Sequence, residues 1–238
     1  MRPSDREEAW KPLDRGAMRP SDREEAWRPL PGAVRAREDA SAAAQVPLGP
    51  AATFANTYYD FPVEHGGDAD TPLFDARCER VAMVSRAFHD RLCVQGSGRL
   101  ASGRTVSFAK RSCACAEICP RTGQNICYEA LDPKRFPNGR GATGRPITPL
   151  STVAVDPTVI PLGTRIYIPE FAGLPRGDGE VHDGCFVAED QGIRIKGLRV
   201  DIFAGDEQTR HVWEALFPSH RGVHVYGGNA RCVGTSKR

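Results

Sequence analysis

Three aspartates lie at or near the ends of short apolar segments, where carboxyl groups brought together could act as general acids and bases. Asp156 follows STVAV, Asp190 follows FVAE, and Asp201 lies inside LRVDIF. Successive side chains of a strand point to opposite faces, so an aspartate flanked by core valines or isoleucine points away from the core. Asp190 and Asp201 have a spacing that suits a strand, a turn and a returning strand. Aspartates at strand ends also cap turns, so spacing alone leaves a structural role open.

The segments around these aspartates predict the elements that would position them. Apolar stretches alternating with turns predict strands at 52–59, 151–156, 164–169, 185–190, 198–203 and 223–226. Apolar residues at helical spacing over 206–217 predict a C-terminal helix. The 24 glycines and 19 prolines favour strands and turns over a helix bundle. The sequence therefore predicts a mainly β, barrel-like domain over 51–232.

A cysteine-rich stretch at 62–135 predicts an α/β insertion in this domain. Within it, 74–92 has roughly helical apolar spacing and predicts an amphipathic helix, and 93–110 predicts a hairpin. The chain has eight cysteines, an even number that favours disulfides, although the sequence does not give their pairing. A zinc or iron–sulfur site is the alternative, but the C-x-C spacing that begins the cluster fits zinc poorly. We expect no metal and no cofactor.

The N-terminal segment, residues 1–50, predicts a disordered charged tail. Residues 1–10 recur unchanged as 18–27, and residues 1–40 hold nine basic and nine acidic side chains. No apolar run is long enough for a transmembrane helix, and we see no signal-peptide pattern. A net charge of +2 is too small for a typical nucleic-acid-binding domain, so we expect no nucleic-acid partner. The sequence gives no indication of an oligomeric state.

Two long stretches carry a resemblance to a known family. They are TVAVDPTVIPLGTRIYIP at 152–169 and FVAEDQGIRIKGLRVDIFAGD at 186–206, with TYY at 57–59 as a counterpart of an earlier Thr-x-Tyr strand. They resemble the 3D domain, named for three aspartates, which forms the catalytic barrel of membrane-bound lytic transglycosylase A and of short stationary-phase muralytic proteins. The resemblance implies a six-stranded double-psi β barrel with the cysteine-rich insertion and the C-terminal helix added to it.

The resemblance also implies an activity and its residues. It implies a lytic transglycosylase that cleaves the MurNAc–GlcNAc β-1,4 bond of peptidoglycan with formation of a 1,6-anhydro ring, outside the cytoplasm. Asp201 matches the catalytic acid, Asp190 its neighbour and Asp156 the first aspartate of the name, which is more often a supporting residue. The positions that match or adjoin the motif on the substrate side are Lys196, Thr57, Tyr59 and Gly192.

Two other functions stay open, and a departure from the family pattern bears on the first of them. The family usually has Thr-Gly-Gly after the second aspartate, whereas this chain has QGIR at 191–194. The first alternative is a non-catalytic barrel of the expansin-like kind, which would bind cell-wall polysaccharide and release nothing. The second is a cytosolic metal-binding protein, which the missing signal-peptide pattern and the cysteine cluster suggest. Free-thiol counting and metal analysis would detect it.

Overall fold

The computed structural model describes residues 46–48 and 53–233. The elements of these residues are, in chain order, β1 (Val46–Pro47), β2 (Ala55–Asp60), β3 (Thr71–Phe74), β4 (Arg80–Val84), α1 (Arg86–Gln95), β5 (Ser97–Arg99), β6 (Thr105–Arg111), β7 (Ile126–Leu131), β8 (Thr152–Val155), β9 (Arg165–Tyr167), β10 (Cys185–Asp190), β11 (Arg199–Gly205), α2 (Glu207–Leu216), β12 (Tyr226–Gly227) and α3 (Ala230–Val233). The predicted tail, 1–50, lies outside the described residues except for 46–48. There β1 pairs with β12, so the main sheet includes residues that precede 51.

Seven strands form the main sheet, which confirms the prediction of a mainly β protein. Their order across the sheet is β1, β12, β9, β10, β8, β11 and β2. The pairs β10–β8 and β11–β2 are parallel and the other pairs are antiparallel. Phe54, just before β2, also exchanges two backbone hydrogen bonds with Val223, just before β12, at 2.8 and 2.9 Å. This bridge connects β2, at one edge of the sheet, with the segment before β12 near the other edge. The main sheet has seven described strands, whereas the resemblance implies a six-stranded barrel.

The main core lies on one face of this sheet. Alternating side chains of β8 and β11 (Val153, Val155, Val200 and Ile202) are fully buried there. Helix α2 packs on the same core through Trp213, whose indole Nε1 donates to the carbonyl of Pro175 at 2.9 Å. Asp206 caps the start of this helix by accepting from the amide of Thr209. The opposite face of β8 and β11 is thus left for other contacts.

The insertion forms its own small core beside the sheet. Strands β3 and β4 form a hairpin, and β5, β6 and β7 form an antiparallel sheet. Buried side chains of these strands and of α1 pack together, among them Leu73, Val84, Leu92, Val106 and Tyr128. No helix in the described part of the chain is long and apolar enough to cross a membrane.

The predicted helix over 74–92 is wrong, because the structure has a hairpin followed by a shorter helix there. The carboxylate of Asp75 accepts from the amides of Arg77 and Glu79, which turns the chain directly after β3. Cys78 has a φ of 64°, a left-handed conformation that an α-helix excludes. Helix α1 begins only after Ser85, whose hydroxyl accepts from the amide of Phe88.

Four disulfides staple the fold, as the even cysteine number indicated. Three lie within the insertion, and they join Cys78–Cys115, Cys93–Cys119 and Cys113–Cys127. The fourth, Cys185–Cys232, ties α3 to β10 of the main sheet. Disulfides of this density are typical of proteins that fold in an oxidising compartment.

Candidate active site

One face of the main sheet carries the predicted site residues Thr57, Tyr59 and Asp201, because strand alternation sends them away from the core. Thr57 on β2 lies opposite Asp201 on β11, and Tyr59 lies opposite Phe203 two residues further along the same pair of strands. Tyr59 and Phe203 are buried in a small apolar cluster on this face. The hydroxyl and carboxyl groups are therefore held by two hydrogen-bonded strands instead of by loops.

Asp201 is held as a partly buried carboxyl group with one hydrogen-bond donor. The hydroxyl of Thr57 donates to its Oδ1 at 2.7 Å. Burial raises the pKa of Asp201 to about 6, the Thr57 hydrogen bond lowers it in part, and the charge of Asp190 raises it again. The group is consequently a weak acid that keeps a useful protonated fraction near neutral pH.

Asp190, at the end of β10, lies beside Asp201 but is held more firmly. Its Oδ2 accepts from the hydroxyl of Tyr59 at 2.9 Å and its Oδ1 accepts from the amide of Gln191 at 2.9 Å. Burial raises its pKa, although these hydrogen bonds and the backbone of Ala142 oppose the rise. Burial and the two carboxyl groups together raise the pKa of Tyr59 well above 10, so this phenol stays a hydrogen-bond donor.

A small residue sits between the two aspartates. Ala154 on β8 is the register partner of Asp190 on one side and of Asp201 on the other. Its methyl group is buried, and it lies in the same apolar cluster as Tyr59. Nothing bulkier than a methyl group on β8 therefore separates the two carboxyl groups on this face.

The pair opens into a groove of about 650 Å³ between the sheet and the insertion. Asp190, Asp201, Tyr59 and Gly192 line its sheet side. Its insertion side is formed by the end of α1, by β6 and by the segment 121–126. Polar and charged side chains make up much of the lining of this partly open groove, which suits a polar ligand.

Two of the predicted site residues lie elsewhere. The carboxylate of Asp156 accepts from the amide of Gly197 at 2.8 Å and from the amide and hydroxyl of Thr158. These hydrogen bonds lower its pKa to about 2, with a smaller contribution from the charge of Lys196. Neither Asp156 nor Lys196 lines the groove. Asp156 instead fixes the turn that leads into β11, and its predicted catalytic role and the substrate contact of Lys196 stay predictions.

Sequence reasoning missed the residues that complete the groove. Neither Ala154 nor the segment 140–142 carries a chemical signal in the sequence. A side chain at Gly141 would lie 2.5 Å from the carbonyl oxygen of Glu189, so this position needs glycine for the close approach to β10. The insertion side was also missed, since its residues fall outside the motif.

One group of side chains in the described residues has the proximity that a metal would need. It consists of Cys113, Cys115 and Cys127. All three are engaged in disulfides, so they offer no thiolate to a metal.

The comparison with family models agrees with this geometry. Residues 151–213 match the 3D domain. The predicted resemblance is thereby confirmed for the segment that supplies β8 to β11 and both groove aspartates. A comparison with the curated proteins gives no significant match.

Solved structures show the same fold over most of the chain. E. coli MltA with bound chitohexaose is 18% identical, with a TM-score of 0.56, and the alignment covers 78% of this chain and 74% of that one. The membrane-bound lytic murein transglycosylase from Agrobacterium tumefaciens is 14% identical, with a TM-score of 0.50, over 76% and 74% of the two chains. At these identities the likeness is one of fold.

Proposed function

We propose that this protein is a peptidoglycan lytic transglycosylase with Asp201 as its single general acid and base. The observation that carries the proposal is the carboxyl group of Asp201, which faces the groove with a pKa raised to about 6. The match to the 3D domain and the fold shared with lytic transglycosylases support it. We also propose that the sheet, joined by the Phe54–Val223 bridge, is the double-psi barrel that the resemblance implies.

A single carboxyl group is sufficient for the proposed reaction. Protonated Asp201 donates its proton to the glycosidic oxygen as the bond from that oxygen to C1 of MurNAc breaks. The C6 hydroxyl of the same MurNAc forms the new bond to C1, and its proton passes to the carboxylate. The products are a 1,6-anhydroMurNAc end and a free GlcNAc hydroxyl, no water is consumed, and Asp201 returns to its starting state.

The hydrogen bonds favour Asp201 over Asp190 as the acid. Both oxygens of Asp190 accept hydrogen bonds, from Tyr59 and from Gln191, which favours its charged form. Asp201 accepts one, from Thr57, and its Oδ2 has no partner among the described residues. A proton on that oxygen is therefore available to a sugar in the groove. Asp190 would act on the reaction indirectly, since its nearby charge raises the pKa of Asp201.

The proposed substrate and location follow from the groove and the disulfides. Glycan strands of peptidoglycan are rich in hydroxyl and amide groups, which polar side chains of the groove can bind. Gly192 and Tyr59 line it and are the predicted substrate-binding residues that fit this role, whereas the hydroxyl of Thr57 is engaged with Asp201. Four disulfides agree with an extracytoplasmic location, where peptidoglycan is exposed to enzymes.

Digestion of purified sacculi tests the proposal. Residues 46–238 and their Asp201→Asn variant are compared, with the released products identified by mass spectrometry. We expect 1,6-anhydro-muropeptides from the parent and a loss of about 100-fold or more in the variant, which is the usual contribution of a general acid. Asp68→Asn, an exposed aspartate in the loop after β2, is the matched control.

Other outcomes point to other functions. Reducing-end products would show hydrolysis and would require a second carboxyl group, with Asp190 the first candidate. Co-sedimentation with sacculi without any product would favour the polysaccharide-binding barrel. Full activity in Asp201→Asn would contradict the assignment of the acid.

A further inference from the structure

The two sides of the groove differ in charge. The sheet side holds the carboxyl groups of Asp190 and Asp201, and five arginines line the groove elsewhere, namely Arg91, Arg111, Arg121, Arg140 and Arg210. Three of them are neutralised by carboxylates. Arg91 and Arg210 both bind the buried Asp60, and Arg140 binds Glu129.

Arg111 and Arg121 have no carboxylate partner among the described residues. Both belong to the β6–β7 side of the insertion and both are exposed. They leave a positive surface opposite the two aspartates. An uncharged sugar chain would not require such a surface, because its hydroxyl and amide groups carry no net charge.

The guanidinium group of Arg111 is fixed in position, with its terminal nitrogens available. It stacks over the ring of Phe108 at 4.6 Å, and its Nε donates to Oε1 of Gln124 at 3.3 Å. Its two Nη groups have no partner within the described residues, and a pair of parallel N–H donors of this kind matches a carboxylate. Preorganisation lowers the conformational entropy that binding would cost.

Two neighbouring features belong to the same surface. The hydroxyl of Thr122 is buried, lines the groove and has no hydrogen-bond partner in the described part of the chain, which is rare for a buried polar group. The carbonyl of Arg121 accepts from a terminal nitrogen of Arg194, on the turn between β10 and β11. This contact joins the insertion to the turn in which the chain departs from the family pattern.

We propose that Arg111 and Arg121 form a subsite for carboxylate groups carried by the glycan strand. This inference rests on the proposed function for the identity of the strand. In peptidoglycan the carboxylates come from two sources, the lactyl group of a peptide-free MurNAc and the stem peptide. The insertion would thus select glycan strands by their charged substituents, while Asp201 acts on the glycosidic bond between the sugars.

Binding measurements on the inactive Asp201→Asn background test the subsite without turnover. Affinity is measured by calorimetry for peptide-bearing glycan strands, for strands stripped by an amidase, and for chitohexaose, which has no carboxylate. Arg111→Gln in this background should weaken binding of carboxylate-bearing strands by about tenfold or more, as expected for a charge-assisted hydrogen bond. Affinity for chitohexaose should stay unchanged. Loss with stripped strands identifies the lactyl group, and loss with peptide-bearing strands alone identifies the stem peptide.

Two further variants keep the test decisive. Arg135→Gln removes an exposed arginine that also stacks on a ring, that of Phe136, but lies outside the groove, so its affinities should equal those of the parent. Arg111→Lys keeps the charge and loses the paired donors, so it should give an intermediate affinity. An equal loss for chitohexaose, or no loss for any ligand, would overturn the subsite. Because these readouts need no cleavage, a sacculus digestion without products would refute the proposed activity and leave this result standing.

Discussion

The hydroxyl of Thr57 donates to Oδ1 of Asp201 at 2.7 Å across the parallel pair β2–β11. This hydrogen bond stabilises the charged form of the carboxylate, whereas burial and the charge of Asp190 stabilise the protonated form. The pKa of about 6 is the balance of these effects. Each partner of Asp201 is therefore expected to move the pH dependence of the proposed reaction in its own direction.

Thr57→Val should shift the pH profile of kcat/KM, so that its decline on the alkaline side begins at a higher pH. The parent requires protonated Asp201, so its kcat/KM should fall about tenfold per pH unit above pH 6. Removal of the Thr57 hydroxyl removes the hydrogen bond that lowers the pKa of Asp201, so this pKa should rise above its value in the parent. The shift is measured by following the rate of release of 1,6-anhydro-muropeptides as a function of pH.

Thr57→Ser is the control for this shift. Serine keeps the hydroxyl, so the profile should stay near that of the parent. A profile of Thr57→Val that overlies the parent's would show that this hydrogen bond does not set the pKa of the catalytic acid.

Asp190→Asn should move the same decline to lower pH. The substitution removes a negative charge that raises the pKa of Asp201, and an amide can still accept from Tyr59. The shift should be smaller than that of Thr57→Val, because the charge of Asp190 affects Asp201 less than the Thr57 hydrogen bond does. If the decline moves to higher pH, or if anhydro products vanish at every pH, Asp190 has a direct role in the chemistry.

The strands that carry the aspartates could be predicted from the sequence because their patterns are local. The strand predicted at 185–190 is β10 (Cys185–Asp190), and the predicted helix 206–217 contains α2. The motif also identified Asp190 and Asp201, which the fold brings into one groove. Here the alternation of side chains, the turn residues and the tertiary structure all agree.

The insertion could not be predicted in the same way because its structure depends on distant contacts. The helical apolar spacing of 74–92 is overridden by the Asp75 turn and by the disulfide of Cys78 with Cys115. The position of Arg111 on the groove follows from the docking of a second core beside the sheet, and no local pattern records that docking. Ala154 likewise becomes informative only once the strand register is known.

Asp156→Asn should lower stability near neutral pH and have little effect in acid. The pKa of Asp156 is about 2 in the folded protein, below its ordinary value of 3.8, because the charged carboxylate accepts from Gly197 and Thr158. A lowered folded pKa gives stability that is present above about pH 4 and is lost as the pH falls towards 2. Tm measured from pH 2 to pH 7 should thus differ most between parent and variant at the upper end.

The control for Asp156 is Asp68→Asn, an exposed aspartate outside this network, which should leave Tm unchanged across the range. If the difference in Tm between Asp156→Asn and the parent instead stays constant down to pH 2, the charge of Asp156 does not stabilise the turn.

Removal of the Cys93–Cys119 disulfide by a double substitution to serine should lower the affinity of the groove for carboxylate-bearing strands as well as the stability of the protein. Both cysteines are buried in the core of the insertion, and Cys119 directly precedes the segment that carries Arg121 and Thr122. A crosslink of this span contributes about 3 kcal/mol of stability.

The matched control is the double serine variant at Cys185 and Cys232, which removes a crosslink of the main sheet. Both variants should lower Tm, but only the first should lose affinity for carboxylate-bearing strands at a temperature where both remain folded. Equal affinities would mean that the insertion holds its arginines in position without this crosslink.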